Sequence, residues 1–140
     1  MILKIKKLNP DARLPEYAHP GDAGFDLFAP QAFTLAPGER AGIPSGVAIE
    51  IPEGYVGLIW DKSGLSIKNG LKTLGGVLDA GYRGEIMIGM TNLSTEPYTF
   101  EKGHKIAQML VQKVERVEIE EIEDLSQTER GAGGLGSTGK

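Results

Sequence analysis

The chain has 140 residues, a length that builds one ordinary hydrophobic core and not two. It contains no cysteine, which excludes disulfides and thiolate catalysis and leaves a zinc site only His19 and His104 with carboxylates, a poor set for an enzyme metal. A net charge of −4 argues against broad electrostatic binding to nucleic acid, while a few local cations and backbone amides suffice for a small phosphate ligand.

In chain order, the first segment, residues 1–8, carries Leu3 and Ile5 on one face of a short strand and lacks the apolar core of a secretory signal. Nowhere do eighteen apolar residues run together, so the reading is a soluble cytoplasmic protein without membrane contact. Alternation recurs at Val47/Ile49/Ile51, Val56/Leu58/Trp60, Ile86/Ile88/Met90 and Val117/Ile119, each read as a half-buried strand, with Trp60 in the core. Turn signals at Asn9-Pro10, Pro20-Gly21, Pro37-Gly38, Pro52-Glu53-Gly54 and Thr95-Glu96-Pro97 separate the strands at the close spacing of an all-β sandwich or jelly roll. The 20 glycines and 8 prolines, against 6% aromatic residues, agree with that class.

One segment breaks the rhythm. Residues 62–70 predict a single short helix near 63–69, with Ser63 as a cap and Asn69-Gly70 as the stop. At its start Asp61-Lys62-Ser63-Gly64-Leu65 brings a cation, a hydroxyl and unpaired helical amides together, which serves either as an ordinary cap or as a seat for an anionic phosphate chain. Residues 75–86 read as a β-hairpin with Asp79 near its tip and Tyr82 beside it. There Asp79 is either a turn-former bonding its own backbone or an acid acting on a ligand against the hairpin, and the Tyr82 ring is placed to cover a sugar or base.

The acidic stretch Glu118 to Asp124 reads as a solvated strand edge. Residues 131–140 contain five glycines and almost nothing to bury, and therefore predict a mobile tail; Arg130 and the nearby hydroxyls make a phosphate-wrapping arm the competing idea. Gly134 to Lys140 mimics most of a P-loop, but the sequence gives no helix after the lysine and no parallel βαβ pattern before it.

Taken together, the motifs resemble the trimeric deoxyuridine triphosphatases (dUTPases), along nearly the whole chain and in the order of that family's five motifs. Ala23-Gly24-Phe25-Asp26-Leu27, with Pro37-Gly38-Glu39-Arg40 and Ser45-Gly46, is similar to the first. Asp61 to Leu65 resembles the second, Gly76 to Gly84 the third, Gly103-His104-Lys105-Ile106-Ala107-Gln108 the fourth, and Arg130 to Thr138 the fifth.

This resemblance implies an all-β, jelly-roll-like subunit over residues 1–125 and a flexible arm over 126–140 that closes over a neighbouring subunit's site in a homotrimer. It implies hydrolysis of dUTP to dUMP and pyrophosphate with Mg²⁺, the metal held by substrate phosphates and water and not directly by protein. Asp79 would be the general base on the water attacking the α-phosphorus. Lys62, Ser63 and Gly64 would hold the phosphate chain, with Gln108 and Arg130 supplied from other subunits. Uracil would be read by the backbone around Gly76, Val77, Leu78 and Met87, and Tyr82 would pack under the deoxyribose. Leu135, Gly136 and Ser137 would contact substrate from the arm, and Asp26 would organise its neighbours instead of touching substrate.

Three positions depart from the family pattern. Lys62 replaces the usual arginine, exchanging a planar fork for a point charge. Leu135 replaces a phenylalanine, so that stacking on uracil gives way to plain apolar contact. Asp61 stands where the residue is usually uncharged, and a carboxylate there repels triphosphate unless it faces away. Three rival functions are a purely structural jelly roll, a dUTPase-like nucleotide-binding or regulatory protein with slow turnover, and a relative of dCTP deaminase. The last carries a catalytic glutamate ten residues after the aspartate, where this chain has Gly89.

Overall fold

The computed structural model describes residues 1–136, 138 and 139. Among the described residues it holds eleven strands and one helix: β1 (Lys4–Lys7), β2 (Phe25–Phe28), β3 (Phe33–Leu35), β4 (Arg40–Pro44), β5 (Val47–Glu50), β6 (Tyr55–Trp60), α1 (Ser63–Asn69), β7 (Leu71–Leu74), β8 (Val77–Leu78), β9 (Met87–Asn92), β10 (Tyr98–Phe100) and β11 (Lys105–Lys113). No helix of the described residues is long and apolar enough to cross a membrane. The strands form a four-stranded sheet in the order β2-β11-β6-β8, a three-stranded sheet β4-β9-β7, and two strand pairs, β1-β5 and β10-β3, every pairing antiparallel. Neighbours in a sheet are mostly distant in sequence, as jelly-roll winding requires.

The core lies between the sheets. Phe28, Leu35, Ile43, Ile88, Met90, Phe100, Ile106 and Met109 are fully buried there. The alternation Ile86/Ile88/Met90 marks the inward face as expected, with all three residues buried. β5 differs from its half-buried reading, because Ala48 is buried along with Val47 and Ile49. β1 covers one edge of this strand, and the chain at Ile86 hydrogen-bonds to Val47.

The expected inner row Val56/Leu58/Trp60 is out of phase with the structure. The buried residues of β6 are Gly57 and Ile59, while Trp60 is 54% exposed and so not in the core. The reason is Gly57: it lets the strand approach Met109 so closely that a side chain there would collide with it, and a residue without a side chain leaves no apolar mark on the inner face. Val117/Ile119 forms no strand either. β11 ends at Lys113, its two edges are taken by β2 and β6, and the described residues beyond it lie exposed with no facing strand in the chain.

α1 ends as its sequence predicts. Gly70 adopts φ 68° and its N–H donates to the Ser66 carbonyl at 3.0 Å, a left-handed cap that glycine takes at little cost. Its start is different: Lys62, not Ser63, is the N-cap, and no side chain caps the helix. Ser63 is the first helical residue.

Candidate active site

Residues 75–86 do not form the expected hairpin. Val77 and Leu78 pair with Leu58 and Gly57 of β6, whereas Met87–Asn92 joins β4 and β7 in another sheet. Residues 79–86 therefore bridge two sheets, beginning with a turn in which the Tyr82 N–H donates to the Asp79 carbonyl at 3.0 Å. The long-range pairing wins because Gly76 presses against β6, where its carbonyl accepts the Ile59 N–H at 2.8 Å and a Cβ would lie 2.7 Å from the Ile59 oxygen. β8 is thus an edge strand with one side open. The carbonyl of Gly76 is spoken for, and because bonded and unbonded pairs alternate along an antiparallel ladder, Leu78 opposite Gly57 also turns its backbone groups to β6, which leaves the backbone of Val77 facing the open edge.

Asp79 lies exposed at the end of β8, and among the described residues its carboxylate accepts no hydrogen bond, so it does not act as the side-chain turn-former. Tyr82 is held in place. Its hydroxyl donates to the Glu85 carbonyl at 2.8 Å, and its ring covers Gly84 so closely that a side chain at Gly84 would collide with it. Glu85 is tied down in turn by its carboxylate, which accepts the Gly46 N–H at 2.7 Å. Met87 is half exposed at the start of β9, paired with Pro44.

The second, fourth and part of the first motif meet elsewhere, around a cavity of about 400 Å³ lined by Lys62, Ser63, Gly64, Leu65, Lys68, Asn69, Lys105 and Gln108. Gln108 belongs to this cavity within one chain, contrary to the expectation that another subunit supplies it beside Lys62, Ser63 and Gly64. The register of β11 explains this: Gln108 sits opposite Trp60, next to the turn into α1, and its amide donates to the Asp61 carbonyl at 2.8 Å. The first intrahelical bond runs from the Ser66 N–H to the Lys62 carbonyl at 2.9 Å, so the N–H groups of Ser63, Gly64 and Leu65 precede the helical ladder.

Beneath the cavity lies Asp26, 2% exposed, with Lys62 on one carboxylate oxygen and Lys105 on the other at 2.6 Å. Burial alone raises this carboxyl's pKa, but the ammonium groups of Lys105 and Lys62 outweigh it and hold the value below the ordinary 3.8. Asp26 is thus an organiser of two cations. A folded-state value below the unfolded one contributes stability that is complete above pH 3.8 and disappears as the pH falls through the folded value. Urea unfolding at pH 5 and pH 2 is accordingly expected to show native chain more stable than Asp26→Asn at pH 5, with the gap narrowing at pH 2; a gap independent of pH would contradict the pairing.

Asp61 turns away from the cavity. It accepts the Thr73 N–H at 2.6 Å and the Thr73 hydroxyl at 2.8 Å, and pairs with Lys72. Burial raises its pKa, and Lys72 together with the Thr73 bonds overrides that and lowers it. The charge that looked repulsive to phosphate is spent on β7.

The cavity lining does not include Asp79, Tyr82 or the β8 backbone, so within one chain these groups and the cavity are separate. Arg130 is exposed and donates to the Gly133 carbonyl at 2.8 Å; Leu135 and Gly136 are likewise exposed, and Ser137 lies outside the described residues. Lys105, Lys68 and Asn69 line the cavity without having been singled out from sequence. Only the place of Lys105 within the fourth motif signalled it.

The dUTPase family model matches residues 10–139. The deoxyuridine 5'-triphosphate nucleotidohydrolase of Clostridium tetani is 49% identical over 140 residues, covering 99% of this chain and 97% of its own, and that of Thermobifida fusca is 47% identical, covering 98% and 78%. Among solved structures, a mutant Staphylococcus bacteriophage 80alpha dUTPase with dUpNHpp superimposes at TM-score 0.94, with 34% identity and 99% of each chain covered. A mutant dUTPase from phage phi11 of S. aureus, whose structure concerns the coordination of a structural Mg(II) ion, superimposes at 0.83 with 32% identity, covering 89% and 98%. With a family model spanning almost all of it and relatives at nearly half identity end to end, the chain belongs to the dUTPase family.

Proposed function

We propose that the protein hydrolyses dUTP to dUMP and pyrophosphate by attack of water on the α-phosphorus. The observation that carries this reading is the end-to-end match to dUTPases, with all five motifs in register in the sequence and the fold superimposing on a nucleotide-bound relative.

In this reading the cavity at the start of α1 seats the phosphate chain. Lys62 supplies charge, Ser63 and Gly64 supply hydroxyl and amide donors, and Gln108 adds a side-chain amide. The open edge of β8 reads uracil chiefly through the backbone of Val77, with Gly76, Leu78 and Met87 alongside; thymine's methyl group and cytosine's amino group are mismatched to that edge. The fixed ring of Tyr82 packs under deoxyribose. Asp79 orients the water and takes its proton. Because the cavity is ringed by lysines and the Asp26 carboxylate is consumed by two of them, the donor set suits a metal carried by the substrate. Mg²⁺ so carried would neutralise phosphate oxygens and ease departure of pyrophosphate.

The split of the site into two halves supports assembly as a homotrimer with active sites shared between subunits. Residues 126–140 then act as an arm that brings Arg130, Leu135, Gly136 and Ser137 onto a neighbour's nucleotide. The deaminase alternative has no foothold: a Cβ at Gly89 would lie 2.7 Å from the Leu74 carbonyl oxygen, so the deaminase glutamate does not fit this backbone.

The test is turnover of a nucleotide panel. Purified protein with Mg²⁺ and each deoxynucleoside triphosphate, or UTP, is expected to release monophosphate and pyrophosphate from dUTP at a rate at least roughly a hundredfold above the others. Comparable turnover of dTTP or dCTP would overturn the uracil-reading role of β8, and absence of turnover on all would favour a nucleotide-binding regulator.

A further inference from the structure

We infer that Asp61 is a positioning residue of the proposed active site: its carboxylate clamps the end of β6 to β7, so that its own carbonyl holds the Gln108 amide with an N–H toward the phosphate cavity. The inference rests on the dUTPase reading of that cavity.

Asp61 is the first residue past β6, which belongs to the four-stranded sheet, whereas Thr73 lies on β7 at the edge of the three-stranded one. Asp61 spans the two. One carboxylate oxygen accepts both the Thr73 N–H at 2.6 Å and the Thr73 hydroxyl at 2.8 Å, and the other pairs with Lys72. Thr73 is itself buried, so the clamp closes on a fixed point of the strand. On the opposite side the Asp61 carbonyl accepts the Gln108 amide at 2.8 Å. Any residue supplies a backbone carbonyl; what Asp61 adds is a fixed place for it.

That place matters because a side-chain amide has two unlike ends, one that accepts and one that donates twice. The Gln108 oxygen lies against Gly24, where a Cβ would come within 2.8 Å of it, while the nitrogen faces Asp61. Asp61 engages one N–H and leaves the other, and Gln108 lines the cavity with Lys62, Ser63 and Gly64. Turned over, the amide would present its oxygen to an anion and set that oxygen against the Asp61 carbonyl. The carbonyl therefore selects the orientation that donates, and selecting it before the anion arrives reduces the freedom lost on binding. Pairing with Lys72 keeps the Asp61 charge from opposing the same anion. A cap for the edge of β7 would need no link to β11; here one residue bonds both.

The experiment is a double-mutant cycle, read by calorimetric binding of dUpNHpp with Mg²⁺ to the native chain, Asp61→Ala, Gln108→Ala, the two together, and the conservative Asp61→Asn. Loss of one charge-assisted contact predicts that D61A weakens binding roughly tenfold. In the Q108A background the same substitution is expected to cost less than about twofold, since no amide remains to be aimed. D61N keeps an oxygen for Thr73 and is expected to stay within about threefold of the native chain, because an exposed ion pair such as that with Lys72 contributes little. A D61A protein that binds as tightly as the native chain overturns the inference. Equal losses with and without Gln108 overturn it too, by marking a cap of β7 and nothing more, and a D61N protein as weak as D61A does so by making charge decisive in place of the clamp. Should D61A fail to fold, Thr73→Val answers, since it deletes the hydroxyl at the far end of the clamp and keeps the N–H. The Gln108 side-chain amide NMR signals are then expected to move and dUpNHpp to bind about two- to fivefold more weakly; unmoved signals overturn the inference. A native chain that does not bind dUpNHpp would instead remove the dUTPase reading beneath it.

Discussion

Replacing Asp79 with asparagine is expected to lower kcat for dUTP by about 10²–10⁴-fold while leaving the affinity for dUpNHpp within a few fold. The substitution preserves shape and removes the ability to take a proton. Asp79 lies exposed just past β8, its carboxylate outside the turn that its own carbonyl closes with Tyr82, so neither folding nor the turn depends on the charge. The unfolding midpoint of the variant should therefore match the native chain. Steady-state kinetics with a pyrophosphate-release assay reads the first effect and urea unfolding the second. A variant with native kcat would take Asp79 out of the chemistry; a variant with collapsed stability would show that the carboxylate has structural work instead.

Ending the chain at Leu125 is the second large perturbation. The described residues beyond this point are exposed and form no strand or helix, so their removal is expected to leave the unfolding midpoint unchanged. Activity should fall steeply, by on the order of 10²-fold or more in kcat/KM, because Arg130 and the glycine-rich segment would no longer enclose the phosphate chain. A mobile arm loses entropy on closing, and phosphate contacts offset that loss only with a triphosphate in place. The truncated chain should accordingly keep its affinity for dUMP and lose affinity for dUpNHpp. Undiminished turnover would make the arm dispensable and leave Arg130, Leu135, Gly136 and Ser137 without a role.

What could be read in advance divides along physical lines. Local rules worked where a residue answers to its own backbone. Gly70 ends α1 in the left-handed region, and Ile86, Ile88 and Met90 alternate inward because strand geometry leaves no choice. They failed where the determining contact is distant in sequence. Gly57 reverses the apparent face of β6 because Met109 packs against it from β11, and Trp60 is left outside. Val77 and Leu78 pair with β6 and not with the next strand along the chain, so the hairpin around Asp79 dissolved into a crossing between sheets. The acidic run after Lys113 has no strand partner among the described residues.

The site follows the same division. Motif order nominated the residues of the proposed site, but not how they are supported. Nothing in the run Asp61 to Leu65 tells that Asp61 faces Thr73 and Lys72, or that Asp26, far back in the chain, engages both Lys62 and Lys105. Charge partners are chosen by strand register, which a single sequence does not reveal. Gln108 is the clearest case: its identity was legible, while its place beside Ser63 depended on β11 lying against β6.

The central claim is that water attacks the α-phosphorus of dUTP. Hydrolysis in ¹⁸O-labelled water, with mass spectrometry of both products, tests it without any mutation. Heavy oxygen is expected in dUMP and not in pyrophosphate; label in pyrophosphate would place the attack on the β-phosphorus and contradict the role given to Asp79.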